Sequence, residues 1–186
     1  MDLCGPFPIQ VPHGEKYFFN ILDNRSNWGF TFGIHLKSDA FSHYKATEAF
    51  LEHSNGVIVK TVHCSGELEL TAGQMGNHLT SKGIIVQHTV PYAHQQNGKS
   101  KCYIHTIEEG GQALLADAGL PMSFWLDAVL THQYFVNRLP TSTLPDDTTP
   151  FEVISNGCKP DLSHLHVWVC DCYVAVPDEL HAKAGS

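Results

Sequence analysis

The chain has 186 residues, 42% of them apolar and 16% charged, and its formal net charge is -8 with thirteen histidines neutral. That length and balance fit one globular domain with a buried core, and no run of eighteen apolar residues or basic-then-apolar leader argues for a membrane span or a signal peptide. Arginine occurs only as Arg25 and Arg138, and with a net charge of -8 this balance argues against strong nucleic-acid binding by the chain alone. Six cysteines, none in a C-x-x-C pair, are expected as reduced thiols in an intracellular protein.

In chain order, Asp2-Leu3-Cys4 reads as a strand end that breaks at Gly5-Pro6. Residues 16–23 form an almost continuous apolar and aromatic run, as expected for a strand buried on both faces. A turn at 24–27 leads to an antiparallel partner at 28–36, so the pair is a hairpin. Ser38-Asp39 caps a helix to about residue 53, which Asn55-Gly56 ends. A β-branched strand is expected at 57–64, a short helix at 72–82 and a strand at 84–86. A helix over 99–118, broken only by Gly110-Gly111, precedes another over 121–139 with Pro121 in its first turn. A Pro- and Thr-rich connection leads to a short helix at 151–154, and 164–176 reads as one or two closing strands. The layout is mixed α/β.

The polar turn that carries Gln95-Gln96-Asn97-Gly98 joins the 84–86 strand to the long helix. It resembles the turn before the catalytic glutamate in the integrase cores of Ty1/copia-type retrotransposons. Also similar to those cores are Asp2-x-x-Gly5-Pro6, Tyr17-Phe18 through Asp23, Leu36-Lys37-Ser38, and the run from Ala118-Gly119-Leu120-Pro121 through Ser123-Phe124-Trp125. Asn137-Arg138-Leu139-Pro140-Thr141 and 159–165 match as well. The resemblance covers nearly the whole chain.

It implies a ribonuclease H-like fold: a mixed central sheet of about five strands, helices on both faces, and a C-terminal helical and β extension. It implies a core-like domain at 1–139, its first strand cut short, and a C-terminal extension at 140–186 packed on that core. Such cores cut and join DNA with two divalent ions, Mg²⁺ or Mn²⁺, about 3.5–4 Å apart in a nest of Asp-Asp-Glu carboxylates. Carried over by register, that set falls on Asp2, Ser65 and Lys101, with the family's spacing between the last two kept. A hydroxyl and an ammonium replace two carboxylates, and the three groups sum to about zero charge. An ammonium ~4 Å from a metal-site cation is repelled by about 4 kcal/mol per unit charge at an effective dielectric near 20. No metal cofactor is therefore expected, and the chain is expected to be inactive.

Gln95, Gln96, Asn97 and Lys99 are the expected nucleic-acid contacts, with DNA bound weakly at best. By the same resemblance the setting is nuclear, no membrane is involved, and a homodimer is the expected assembly. The alternative is a host-retained, non-catalytic module that binds protein or nucleic acid. His63, His105 and His166 stand where such cores commonly carry Arg, which suggests transition decay of the coding DNA. A zinc site at His164, His166, Cys170 and Cys172 is disfavoured, because alternate residues of a straight strand lie about 6.6 Å apart. Glu108 is on the helix face of Lys101, but ~10 Å along the axis is too far to complete the same site. Trp28, Trp125 and Trp168 read as packing aromatics.

Overall fold

A computed structural model describes residues 1–64, 72–88, 98–173 and 175. The hairpin is as the aromatic run requires: strand β2 (Tyr17–Leu22) pairs antiparallel with β3 (Gly29–Ile34), and β1 (Asp2–Cys4) pairs antiparallel with the other edge of β2, Asp2 opposite Asn20. Side chains alternate across a strand, and β2 uses both faces. Phe19 enters one core and Phe18 the other, each fully buried.

The first core lies under helix α1 (Ala40–Asn55), strand β4 (Thr61–Cys64), helix α2 (Gly73–Ser81) and the start of strand β5 (Ile85–His88). Gly56 ends α1 in the left-handed conformation, φ 62°, a geometry that glycine adopts without a Cβ penalty. The second core lies under α3 (Gly98–Ala118) and α4 (Trp125–Val136), the latter preceded by a 3₁₀ turn at Met122–Phe124. Helices thus cover both faces of the hairpin.

Among the described residues the five strands form two ladders. One is β1-β2-β3, and the other is β4 paired parallel with β5. The Met1 amino group bridges them by donating to the His63 carbonyl at 2.6 Å. The strand expected from residue 57 begins only at Thr61, since the chain first leaves Gly56. Gly110-Gly111 does not break α3. A Cβ at Gly110 would lie 2.1 Å from the His132 ring, and one at Gly111 would lie 3.1 Å from Val129, so these glycines let α3 and α4 approach closely.

The C-terminal part contributes helix α5 (Pro150–Ile154), where Thr149 and Glu152 form a reciprocal capping box. No strand follows among the described residues; 164–173 passes through turns, residues 164–169 lie beside α4, and Val169 has a left-handed φ of 64°. A strand needs an edge to pair with, and this segment pairs with neither ladder among the described residues.

One side chain ties the layers together. Asn137, fully buried, accepts from Gly29 N–H at 2.9 Å and donates to the Gly29 carbonyl at 2.8 Å. Its amide thereby completes the open edge of β3 as a neighbouring strand would. Gln133 adds a donor to the same carbonyl at 2.8 Å, the Tyr103 hydroxyl reaches Asn137 Oδ1 at 3.4 Å, and Phe151 N–H donates to the Asn137 carbonyl at 2.9 Å. Asn137→Leu would strand the buried Gly29 N–H, so a loss of about 2–3 kcal/mol is expected. Urea denaturation measures it, and a loss below about 0.5 kcal/mol would show that the clamp is not structural.

Candidate active site

Asp2 sits on β1 with 7% of its surface exposed, and its Oδ1 accepts from Leu3 N–H at 3.1 Å. Across the ladder Asn20 is fully buried and donates to Thr31 Oγ1 at 3.0 Å. On the other side lies Cys64, the last residue of β4 and fully buried. Burial is the main cause that pushes the Cys64 thiol upward, and the Asp2 carboxylate adds to it while the chain's amino group opposes it. The amino group of Met1 is itself lowered by burial, partly offset by Asp2 and Cys64. Asp2 and the end of β4 therefore face each other closely enough to sense each other's charge.

Lys101 lies in the first turn of α3, exposed. The register of α3 over β1 is set farther along, where Cys4 Sγ donates to Glu108 Oε1 at 2.8 Å. Asp2 is two residues back along β1 and Lys101 seven residues back along α3, so both lie to the same side of that contact. Glu108 is thus engaged by Cys4, two turns along the helix from Lys101. Cys4 was not singled out by the sequence. The signal for it was its period-2 spacing from Asp2, which puts both on one face of the strand.

Lys99 Nζ donates to both the carbonyl and Oδ1 of Asn24, each at 2.9 Å, and so ties the start of α3 to the turn after β2. That turn is held by Asp23, which accepts from Ser26 N–H at 2.8 Å and Ser26 Oγ at 2.5 Å. Ser65, Gln95, Gln96 and Asn97 lie outside the described residues. The structure therefore brings together Asp2 and the residue just before position 65, and sets Lys101 on their side.

A two-ion site needs several anionic oxygens within one coordination radius. The set expected from the register, Asp2, Ser65 and Lys101, would offer one carboxylate, a hydroxyl and an ammonium, which does not fit a pair of divalent ions. Among the described residues no three His, Cys, Asp or Glu side chains converge as a metal site. His164 instead meets the Tyr134 hydroxyl at 2.7 Å. The tryptophans pack: Trp125 stacks on Phe7 with ring centroids 4.1 Å apart and donates to the Ile9 carbonyl at 2.8 Å. Trp28 lies against Phe30, Phe151 and the Arg138 guanidinium.

Similarity to known proteins bears on the lineage and the fold. The chain is 32% identical over 182 residues to the retrovirus-related Pol polyprotein from transposon TNT 1-94 of Nicotiana tabacum, covering 98% of this chain and 14% of that polyprotein. It is 25% identical over 166 residues to the Pol polyprotein from transposon RE1 of Arabidopsis thaliana, covering 89% of this chain and 11% of that one. Among solved structures, the catalytic core domain of HTLV-2 integrase superposes with a TM-score of 0.56 at 14% identity, over 74% of this chain and 84% of that one. The simian T-cell lymphotropic virus intasome, solved in complex with PP2A regulatory subunit B56 gamma, gives 0.60 at 14% identity, over 95% of this chain and 58% of that one. No protein-family model matches.

The chain is a relative of copia-type Pol polyproteins with the fold of an integrase core. That fold is ribonuclease H-like α/β. The integrase-type core corresponds to a small part of its relatives, 14% of the tobacco polyprotein.

The Cys4–Glu108 contact of this core is testable by its chemistry. Burial first, and then the Glu108 carboxylate, raise the Cys4 pKa, so the thiol stays protonated where a free cysteine is half ionised, near pH ~8.5. Iodoacetamide at that pH is expected to modify Cys4 at least about tenfold more slowly in the folded protein than in urea. Glu108→Gln should raise the folded rate. Equal rates by peptide mass spectrometry, with and without urea, would refute the contact.

Proposed function

We propose that this chain is the integrase core of a copia-type retrotransposon polyprotein in which DNA strand transfer has been lost. The observation that carries the reading is the placement of Lys101: an exposed ammonium in the first turn of α3, to the Asp2 side of the Cys4–Glu108 contact. With Ser65 as the second member of the set, Asp2 is the one carboxylate left to hold ions that need several. The two ladders are taken as one central sheet interrupted between β1 and β4, which the Met1–His63 hydrogen bond supports. The division at 139/140 is retained as a boundary in sequence, with 140–186 packed on the core. Support comes from Asn27 Nδ2 donating to Thr143 Oγ1 at 2.7 Å and from Trp168 packing against the second core.

DNA remains the partner by lineage, and Gln95, Gln96, Asn97 and Lys99 are the residues proposed to touch it, in a nuclear setting and as a homodimer. Binding is weak in this reading, because the net charge is -8 and the Lys99 ammonium is already held by Asn24. A second reading, a retained protein-interaction module, is favoured by Val167 and Tyr173, 75% and 99% exposed. Expression with purifying selection on such surface residues would favour it over a relic.

The deciding experiment is a strand-transfer assay in Mg²⁺ and in Mn²⁺. The unmodified chain is expected to give no product, and the Ser65→Asp plus Lys101→Glu double variant is expected to recover metal-dependent joining. Turnover by the unmodified chain would overturn the reading. In the same preparation, DNA affinity should fall on raising salt from ~50 to ~200 mM by less than the 10³-fold typical of six or more phosphate contacts. A fall of 10³-fold or more by fluorescence anisotropy would contradict weak binding.

A further inference from the structure

The seam between α3 and α4 is apolar where it is deepest: Ile107 and Ala128 are fully buried, and Leu115 and Val129 nearly so. Its order is antiparallel. Tyr103 reaches Asn137 at one end, and farther along a Cβ on Gly111 would stand 3.1 Å from Val129. His132 falls into that order opposite Gly110, where a Cβ would lie 2.1 to 2.2 Å from Nε2, Cδ2 and Cε1 of the ring. The imidazole therefore rests on bare helix backbone, in the notch that the missing side chain leaves.

The ring is half-buried and makes no hydrogen bond or ion pair among the described residues. The charged groups around it are engaged or displaced. From α3 come Glu109, paired with His105 at 3.1 Å, Glu108, which accepts from Cys4, and Asp117, two turns farther on and exposed. From α4 comes Asp127, which lies with His164 and His166 at the groove beside 164–169. Toward the hairpin the neighbouring Gln133 is neutral and donates to the Gly29 carbonyl. None of these carboxylates offsets the cost of charging the ring: burial alone holds the His132 imidazole below the ordinary histidine value.

We propose that His132 on Gly110 is an acid-released latch between α3 and α4: the neutral ring holds the helices at close approach, and a proton on it drives the ring toward solvent and lets them part. Because the folded value lies below that of a free histidine, about 6.5, the latch contributes in full above pH ~6.5 and is lost as the pH falls through the folded value. The two helices also carry the Tyr103–Asn137 contact and Gln133, so release slackens the hold on Gly29 and the placement of the first turn of α3. The latch is independent of whether strand transfer survives.

The test follows the His132 ring protons and the backbone amides of the full chain by NMR from pH ~7.5 to ~5. The His132 midpoint is expected below ~6.5. Over the same range, amides of 106–114 and 128–136 should lose at least about threefold more hydrogen-exchange protection than those of the β1-β2-β3 ladder, after correction for intrinsic rates. In His132→Gln, which keeps a neutral polar side chain over Gly110, the folding constant from urea melts should fall at least about threefold less between those limits than in the native chain. The other twelve histidines are common to both proteins and cancel in that comparison. Should His132→Gln not fold, the His132 midpoint and the exchange of the native chain decide. A midpoint at or above ~6.5, an unchanged pH dependence in the variant, or protection lost evenly over helices and ladder would overturn the latch.

Discussion

The pairing of the Asn137 amide with the backbone of Gly29 is the contact on which the rest of the architecture depends. β3 is an edge strand of its ladder, and its outward N–H and C=O would otherwise be exposed or stranded. An asparagine side chain carries one donor and one acceptor in the same plane as a peptide group, so it closes that edge at two points. Gly29 is required for the approach, since a Cβ there would stand 2.0 Å from the Tyr103 hydroxyl. Through Tyr103 the clamp reaches α3, and through the backbone carbonyl of Asn137 it reaches α5. The helix that carries Lys101, the hairpin that pairs with Asp2, and the C-terminal part are therefore held by one junction.

That junction explains how the elements around the proposed site positions are held. Asp2 is placed by backbone pairing to Asn20, Cys64 by the parallel ladder with β5, and α3 by its contacts with Gly29, Asn137, Cys4 and Asn24. None of those contacts uses a side chain at position 65 or 101. Under the proposed assignment, the spacing of the set would be kept by the scaffold and not by a metal site.

The hairpin, the helices and the likeness to integrase cores were legible in sequence because each rests on local signals. The aromatic run at 17–22 can only be a two-faced strand, and Asn55-Gly56 supplies a left-handed helix end. Long-range meanings were not legible. Gly110-Gly111 reads locally as a break, yet its purpose is the approach of His132 and Val129 from another helix. Asn137 reads as one member of a motif, and its partner Gly29 is 108 residues away. The 164–173 segment has the β-branched and aromatic content of a strand, but strands are made by partners, and residues 164–169 lie beside α4 instead. For the site, position followed from register, whereas the Cys4–Glu108 contact that orients α3 spans 104 residues.

Substitution at the site is also inexpensive for the fold, and the reason is electrostatic. Three carboxylates held close together without ions repel one another, a strain of the kind that active sites carry at the expense of stability. Under the proposed assignment, serine and lysine at two of the three places would bring the formal sum to about zero and remove that repulsion. The remaining penalty is a lysine near the positive end of α3, about 0.3–1 kcal/mol for an exposed group and screened by salt. Asp2, nearly buried, gains when a neighbouring carboxylate is absent. On the proposed loss of ion binding, stability would therefore not resist the change from carboxylate to hydroxyl or ammonium. The buried clamp at Asn137 has no such freedom, because an apolar side chain there leaves the Gly29 N–H without water and without a partner.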